Sequence, residues 1–360
     1  MVIQVNNEKL SKEYDFFIQW HLTEKCNLRC SHCYQSDTCR DELSFSEIKA
    51  VIAEVSEMLN AWSADHGIGF SRAINVTGGE PFLRPDFFRI LKEIKRYGFE
   101  IYVLSNGTLI DREKADMLSE IGINGIQISI EGPQRMHDII RGKGSYDQSL
   151  KGVQHLLDSS IDVTLNMTLS KLNYNCLKEM ISIAKNMGVQ KLGFSRLVPT
   201  GRGKQFIGEM IDTDKIKELY DSLRVTDVKG LDIVTGDPVA SQNACRTNEN
   251  LGYTAYGGCA AGISGLTLRP DGTINPCRRL SIPIGNVRKD SLRTVWAESD
   301  VLNQLRDKEQ YNEKCRTCKR WAGCRGCRAI AYAYSQSRGE NDFLAEDPQC
   351  FMHENQVTCP

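Results

Sequence analysis

The segment TEKCNLRCSHCYQ, from Thr23 to Gln35, sets three cysteines, Cys26, Cys30 and Cys33, within eight residues. A closed structural metal site takes four ligands, so three thiols on one loop raise the question of what completes the centre. Two chemistries compete for the C-x3-C-x2-C spacing. Zinc would borrow His21 or His32, or keep a water. A cubane iron–sulfur cluster has four irons, each normally bound by one thiolate, and three cysteines would leave one iron open. The spacing favours the cluster.

Working outward, FFIQWHL (16–22) reads as a strand that leads into the cysteine loop. The following helix, 44–59, opens on a Ser cap with an early Glu and has apolar residues three and four apart. Strand and helix then alternate: strands near 73–78, 100–106, 125–132, 162–169 and 191–199, and helices near 85–98, 111–122, 145–159, 175–188 and 212–224. Gly98 and Gly122 supply helix ends. Six strand–helix units predict an α/β fold, a parallel sheet with helices outside, wound as an open sheet or a partial barrel. In either arrangement ligands bind at the carboxyl ends of the strands. After about Val228 the rhythm fails. The expected organisation is an α/β unit over 1–227, a bridging region over 228–258 and a cysteine-rich module over 259–360.

Net charge is −1 over 360 residues, with 45 basic and 46 acidic side chains, so no electrostatic footprint for nucleic acid or an anionic membrane is expected. No targeting segment or membrane-length apolar run is visible, and a cytoplasmic location is expected. Fourteen cysteines in a reducing compartment point to metal or redox chemistry rather than disulfides. Four lie near the front and eight between 259 and 359, which suggests an ordinary fold with two metal-bearing ends.

The cysteine loop, placed directly after the first strand of a β/α series, resembles that of the radical S-adenosylmethionine (radical SAM) superfamily. The resemblance implies a partial (β/α)6 TIM-like barrel. It also implies a 4Fe–4S cluster on Cys26, Cys30 and Cys33 whose open iron is chelated by the methionine part of SAM. One electron then cleaves SAM to methionine and a 5′-deoxyadenosyl radical. The missing fourth ligand is thus the site of the reaction. TGGEP (77–81) resembles the family's Gly-Gly-Glu segment, in which Gly78, Gly79 and Glu80 hold the SAM amino group. LSNGT places Ser105 and Asn106 where they would face ribose or substrate; the alternative is an Asn-Gly turn. SIEG offers Ser129 as a SAM contact and Glu131 where relatives carry an acidic residue. RGKGSYDQS offers Arg141 for the SAM carboxylate, a geometry that suits a guanidinium fork. Leu197 and His32 are candidates to pack near adenine, or else are ordinary packed residues.

KCRTCKRWAGCRGC carries Cys315, Cys318, Cys324 and Cys327, two close pairs with a gap shorter than a zinc ribbon's. With Cys259, Cys277 and Cys350 these resemble the SPASM extension of radical SAM enzymes, which holds two auxiliary 4Fe–4S clusters. LTLRPDGTINPC (266–277) resembles its hairpin, strand, Asp-Gly turn and strand, and Trp296 falls on a following short helix. The resemblance implies one cluster on Cys259, Cys277 and Cys327, completed by Cys245 or left open, and another on Cys315, Cys318, Cys324 and Cys350. The spacing before Cys327 is one residue shorter than the usual pattern.

SPASM relatives mostly modify peptides, so the leading expectation is a peptide maturase. It would abstract hydrogen from a peptide or protein substrate and leave a crosslink, thioether or other side-chain oxidation. An Arg at 278, where sulfatase maturases carry a catalytic Asp, lowers that particular reading. Only 25 residues precede Cys26, too few for a leader-gripping module, so a separate leader-binding protein is expected. So is a flavodoxin- or ferredoxin-type electron donor. The alternatives are oxidative decarboxylation of a tetrapyrrole propionate and, outside enzymes, a zinc-binding scaffold.

Overall fold

The computed structural model describes residues 13–36, 41–225, 228–243 and 258–352. Its strands are β1 (Glu13–His21), β2 (Gly69–Thr77), β3 (Glu100–Ser105), β4 (Gly125–Ser129), β5 (Val163–Leu169), β6 (Lys191–Arg196), β7 (Asp232–Thr235), β8 (Gly265–Leu268), β9 (Thr273–Asn275) and β10 (Gly285–Asn286). Its helices are α1 (Phe45–His66), α2 (Phe87–Arg96), α3 (Arg112–Ile121), α4 (Gln134–Arg141), α5 (Ser145–Asp158), α6 (Leu177–Asn186), α7 (Thr213–Val225), α8 (Leu292–Glu298), α9 (Asp300–Arg306), α10 (Glu313–Thr317) and α11 (Arg328–Ser337). Among the described residues no helix is long and apolar enough to cross a membrane.

Local chemistry fixes the helix ends. Ser44 and Glu47 form a reciprocal capping box at the start of α1. Asp111 caps α3 by accepting from the Lys114 N–H, and Gly122 ends it at φ +71°.

The strands form one sheet in the order β10-β9-β8-β1-β2-β3-β4-β5-β6-β7, parallel from β8 through β7. It exceeds the six strands expected. β7 adds a parallel strand beside β6 within the stretch where the sequence rhythm fails. The Asp-Gly hairpin β8–β9 pairs through β8 with β1, so the cysteine-rich extension continues the same sheet. Helix α4 was not expected either; it carries Arg141 at its end.

Alternation along the strands divides the sheet into two faces. Ile18 and Trp20, Ile74 and Val76, Ile101 and Val103, Ile126 and Ile128, and Leu165 and Met167 are buried in one core with the apolar residues of α1, α2, α3, α5 and α6. Each such side chain contributes about 1.5–3 kcal/mol on burial. On four of these strands the residue between each pair is polar (Gln19, Asn75, Gln127 and Asn166), and β6 adds Ser195; on β3 the cleft side carries Leu104. A parallel sheet covered by helices on both faces reads as continuous apolar runs. Here the polar alternation marks a face that lines a cleft.

The extension is also tied to the barrel by a buried ion cluster. Arg196, at the end of β6, donates to both oxygens of Asp237 (2.5 and 2.8 Å) and both of Asp347 (3.0 and 2.7 Å), and to Gln349 Oε1 at 2.8 Å. Tyr220 Oη donates to Asp237, and Asp347 accepts the Cys327 N–H at 2.8 Å. Burial pushes the Asp347 carboxyl up, but Arg196 outweighs it and holds the group below its ordinary range. Replacing Arg196 by Met leaves two buried carboxylates without their cation. Removing one partner of a buried pair costs about 3–5 kcal/mol, so thermal unfolding of Arg196→Met should shift strongly downward. A loss below about 1 kcal/mol would contradict a structural role for the cluster.

Candidate active site

The cysteine loop leaves the carboxyl end of β1 and crosses the end of the sheet, where a cavity of about 130 Å3 opens. Cys26, Cys30 and Cys33 all line it. So do His32, Gly78, Gly79, Ser105, Asn106, Ser129, Arg141 and Leu197. Eleven of the twelve residues expected around the cofactor therefore face one space. Glu80 is the exception: it is fully buried behind the cleft wall.

Backbone contacts hold the loop in place. The N–H groups of Gly79 and Glu80 donate to the carbonyls of Thr23 and Lys25, both at 2.8 Å. A Cβ on Gly78 would sit 2.6 Å from Thr23 O, and one on Gly79 would sit 2.2 Å from Lys25 O. The two glycines are needed because another backbone passes where side chains would be. A second clamp comes from the short 3-10 segment Gly201–Glu209, whose Gly203 N–H donates to Cys33 O at 2.8 Å. Cβ atoms at Gly201 and Gly203 would meet the carbonyls of Tyr34 (2.2 Å) and His32 (2.8 Å). The sequence reading passed over this GRG stretch, although two glycines one residue apart after a strand were a usable signal.

Glu80 ties the loop after β2 to the loop after β3. It accepts from Ser105 Oγ and Asn106 N–H, each at 2.9 Å. Burial raises its carboxyl to about 7, against these hydrogen bonds, which lower it. Ser105 and Asn106 thus serve both as cleft residues and as supports of Glu80. Asn106 also bonds Asn27 on the cysteine loop at 3.0 Å.

Glu131 is likewise fully buried and gathers the other polar groups. Arg141 donates to Glu131 Oε1 through Nε at 2.9 Å, and His32 Nε2 lies 3.2 Å from the same oxygen. The Thr168 N–H bonds the other oxygen at 2.8 Å. Burial would raise this carboxyl, but Arg141 and His32 overcome it and keep Glu131 below the usual carboxylate range. Arg141 Nη1 also reaches Cys30 Sγ at 3.8 Å. His32 is therefore held by Glu131 at the cleft edge rather than turned toward the thiols. His21 is buried beneath Tyr34, with ring centroids 5.8 Å apart. Among the described residues neither His21 nitrogen has a hydrogen-bond partner.

Further lining residues escaped the sequence reading. Gln127, Asn166, Thr168 and Ser195 come from alternate positions of β4, β5 and β6, and only the sheet register puts them together. Arg278 and Arg279, just past Cys277, form part of the wall. Arg278 Nη1 donates to Gln19 Oε1 at 3.3 Å, and Arg279 Nη1 to Arg196 O at 3.5 Å. Among the described residues neither forms an ion pair.

The C-terminal thiols sort into two neighbourhoods. Cys315 lies within electrostatic reach of Cys350, Cys324 and Cys318. Cys327 faces Cys259, and Arg279 faces both Cys327 and Cys277. Cys245 lies outside the described residues. Among those described, no three ligating side chains stand close enough to chelate a single ion.

The donor chemistry suits an iron–sulfur centre. Burial pushes the Cys26 thiol up to about 11 and raises that of Cys30. Such thiols give up their protons when a bound metal replaces them.

Comparison with known proteins agrees with this chemistry. Residues 20–184 match the radical SAM superfamily, and residues 259–319 match an iron–sulfur cluster-binding domain, SPASM. An AdoMet-dependent heme synthase of Methanosarcina barkeri is 30% identical over 349 residues, covering 92% of this chain and 95% of the relative. Mycofactocin maturase MftC of Mycobacterium tuberculosis is 29% identical, covering 88% and 78%. The crystal structure of Streptococcus suis SuiB bound to S-adenosylmethionine superposes with a TM-score of 0.73 at 16% identity, covering 94% of this chain and 78% of that one. It shares the fold.

The backbone clamp can be tested directly. In Gly79→Ala, the new methyl group would overlap Lys25 O, and overpacking of this kind costs about 1–3 kcal/mol. The thermal midpoint should fall and anaerobic iron uptake should drop. Wild-type iron content with an unshifted midpoint would show that the close approach is not needed.

Proposed function

This chain belongs to the radical SAM superfamily and carries a SPASM extension, and from that premise we propose that it oxidises a carboxylate-bearing substrate, with tetrapyrrole propionates as the leading class. Cys26, Cys30 and Cys33 would hold the radical cluster. Gly78, Gly79, Ser105, Asn106, Ser129, Arg141, His32 and Leu197 would surround SAM, with Glu80 and Glu131 as the buried anchors behind them. Held there and reduced by an external one-electron donor, the cluster with SAM would supply a 5′-deoxyadenosyl radical for hydrogen abstraction. Cys259, Cys277 and Cys327 would carry one auxiliary centre, and Cys315, Cys318, Cys324 and Cys350 the other.

The observation that carries the substrate class is the arginine pair in the cleft wall. Cations shielded from water are normally paired; Arg278 and Arg279 are half-buried in the cleft wall and form no ion pair among the described residues, although Asp237 acts on Arg279 from farther off. Arg279 faces the thiols of Cys327 and Cys277. Arg278 hydrogen-bonds the neutral Gln19, stands 5.9 Å from the Tyr34 ring centroid and lies within reach of the Cys277 thiol, with no carboxylate beside it among the described residues. A substrate carboxylate would complete it. Oxidative loss of CO2 from a propionate removes one hydrogen atom, one CO2 and one electron, leaving an alkene. The electron needs an acceptor, and the auxiliary centres provide a place for it. The likeness to an AdoMet-dependent heme synthase supports this reading.

A peptide substrate is the second reading. It is favoured by the likeness to mycofactocin maturase and by the seven C-terminal cysteines. In that case Arg278 would take an acidic side chain or a terminal carboxylate.

The test is binding of a propionate-bearing porphyrin, followed by its Soret band, to the wild type and to Arg278→Ala. Leaving a buried charge unpaired costs about 2–5 kcal/mol, so affinity should fall at least tenfold. Anaerobic turnover should yield a product lighter by the elements of formic acid per propionate. Equal porphyrin affinity in both proteins, with hydrogen loss from a peptide instead, would favour the second reading.

A further inference from the structure

Gln242 lies in the short 3-10 segment Pro238–Asn243 and is buried. Its Nε2 stands 3.4 Å from Cys324 Sγ and 3.3 Å from Cys350 Sγ. Its Oε1 accepts the Phe351 N–H at 3.2 Å. That donor decides which way the amide points. The oxygen must face Phe351, so the NH2 group faces the two sulfurs.

A side-chain amide has two N–H donors, and both are directed at sulfur. A neutral thiol is a weak acceptor. A thiolate accepts far better, because a charged partner roughly doubles the strength of such a bond. Spending two buried donors on sulfur is therefore favourable only if these cysteines carry negative charge, as metal-bound thiolates do. The surrounding backbone makes the same choice. The Gly326 N–H donates to Cys324 Sγ and the Arg320 N–H to Cys318 Sγ, both at 3.4 Å.

We infer that Gln242 is a tuning residue for the auxiliary centre held by Cys315, Cys318, Cys324 and Cys350, donating N–H···S hydrogen bonds to two of its four ligands. The inference rests on the cluster reading given under the proposed function. A cluster gains one negative charge when reduced, and donors aimed at its sulfurs stabilise that charge. Hydrogen bonds to the ligands are a principal control on reduction potential. Gln242 thus raises the potential of this centre and makes it a better acceptor for an electron leaving the substrate.

The experiment is a potentiometric titration of the anaerobically reconstituted full-length protein, followed by electron paramagnetic resonance, with iron counted in parallel. Gln242→Leu removes both donors and also the acceptor for Phe351. Gln242→Glu keeps that acceptor and replaces the donors with an oxygen. Both variants should show one centre moved to lower potential, Glu further than Leu, with the other centres unmoved. Unchanged midpoints at full iron content would overturn the inference. So would loss of iron with unshifted midpoints in Gln242→Glu, because that marks a purely structural residue. Replacing Cys324 and Cys350 together by Ala separates the underlying reading: if that costs no iron, there is no centre at this position and the inference falls with it.

Discussion

The structure depends on the approach of two backbones at the end of the sheet. The N–H groups of Gly79 and Glu80 are spent on the carbonyls of Thr23 and Lys25. No side chain fits at the two glycine positions, so the loop after β2 lies directly against the cysteine loop. The three thiols are then fixed relative to the strand ends by hydrogen bonds that involve no metal. Gly201 and Gly203 repeat the device on the far side of the loop. Main-chain geometry thus places the residues that line the cleft.

The two faces of the sheet divide the remaining work. One face carries Ile, Val, Leu and Trp into the helices and forms the apolar core. The other gives up apolar contact for Gln127, Asn166, Ser195 and their neighbours. Two buried carboxylates stand behind the cleft wall with opposite characters. Glu80 is surrounded by neutral donors and is raised to about 7, whereas Glu131 is held low by Arg141 and His32. Arg196 joins this barrel to the extension, and its partner Asp347 also holds the Cys327 N–H. The backbone at Cys327 is thereby linked through Asp347 and Arg196 to the end of β6, where Ser195 and Leu197 line the cleft.

Elements with strong local signals were legible in the sequence. The strand–helix alternation, the Ser44 cap, the Asp-Gly hairpin and the helix bearing Trp296 all read from composition and spacing. The cleft residues on loops were legible because each followed a strand. What escaped depends on contacts distant in sequence. β7 is four residues long and has no helical partner pattern to announce it. Helix α4 is only eight residues long, follows a Pro and exposes Ile139 beside Gln134 and Arg135, so it shows no clean amphipathic pattern. Gln127 and Asn166 are polar residues alternating with apolar ones on separate strands, and only register reveals that they share a space. The Gly-Gly-Glu segment is legible, but not the tie that Glu80 makes between two loops. The burial of Glu80 and its bonds to Ser105 and Asn106 depend on how two loops pack, which spacing does not encode.

The most direct measurement is the fate of S-adenosylmethionine on the oxygen-free, iron-reconstituted protein reduced with dithionite. The account predicts 5′-deoxyadenosine and methionine from the wild type and neither from Cys30→Ala. Nucleoside formation that survives loss of Cys30, or a cluster-loaded wild type that leaves the sulfonium intact, would contradict it.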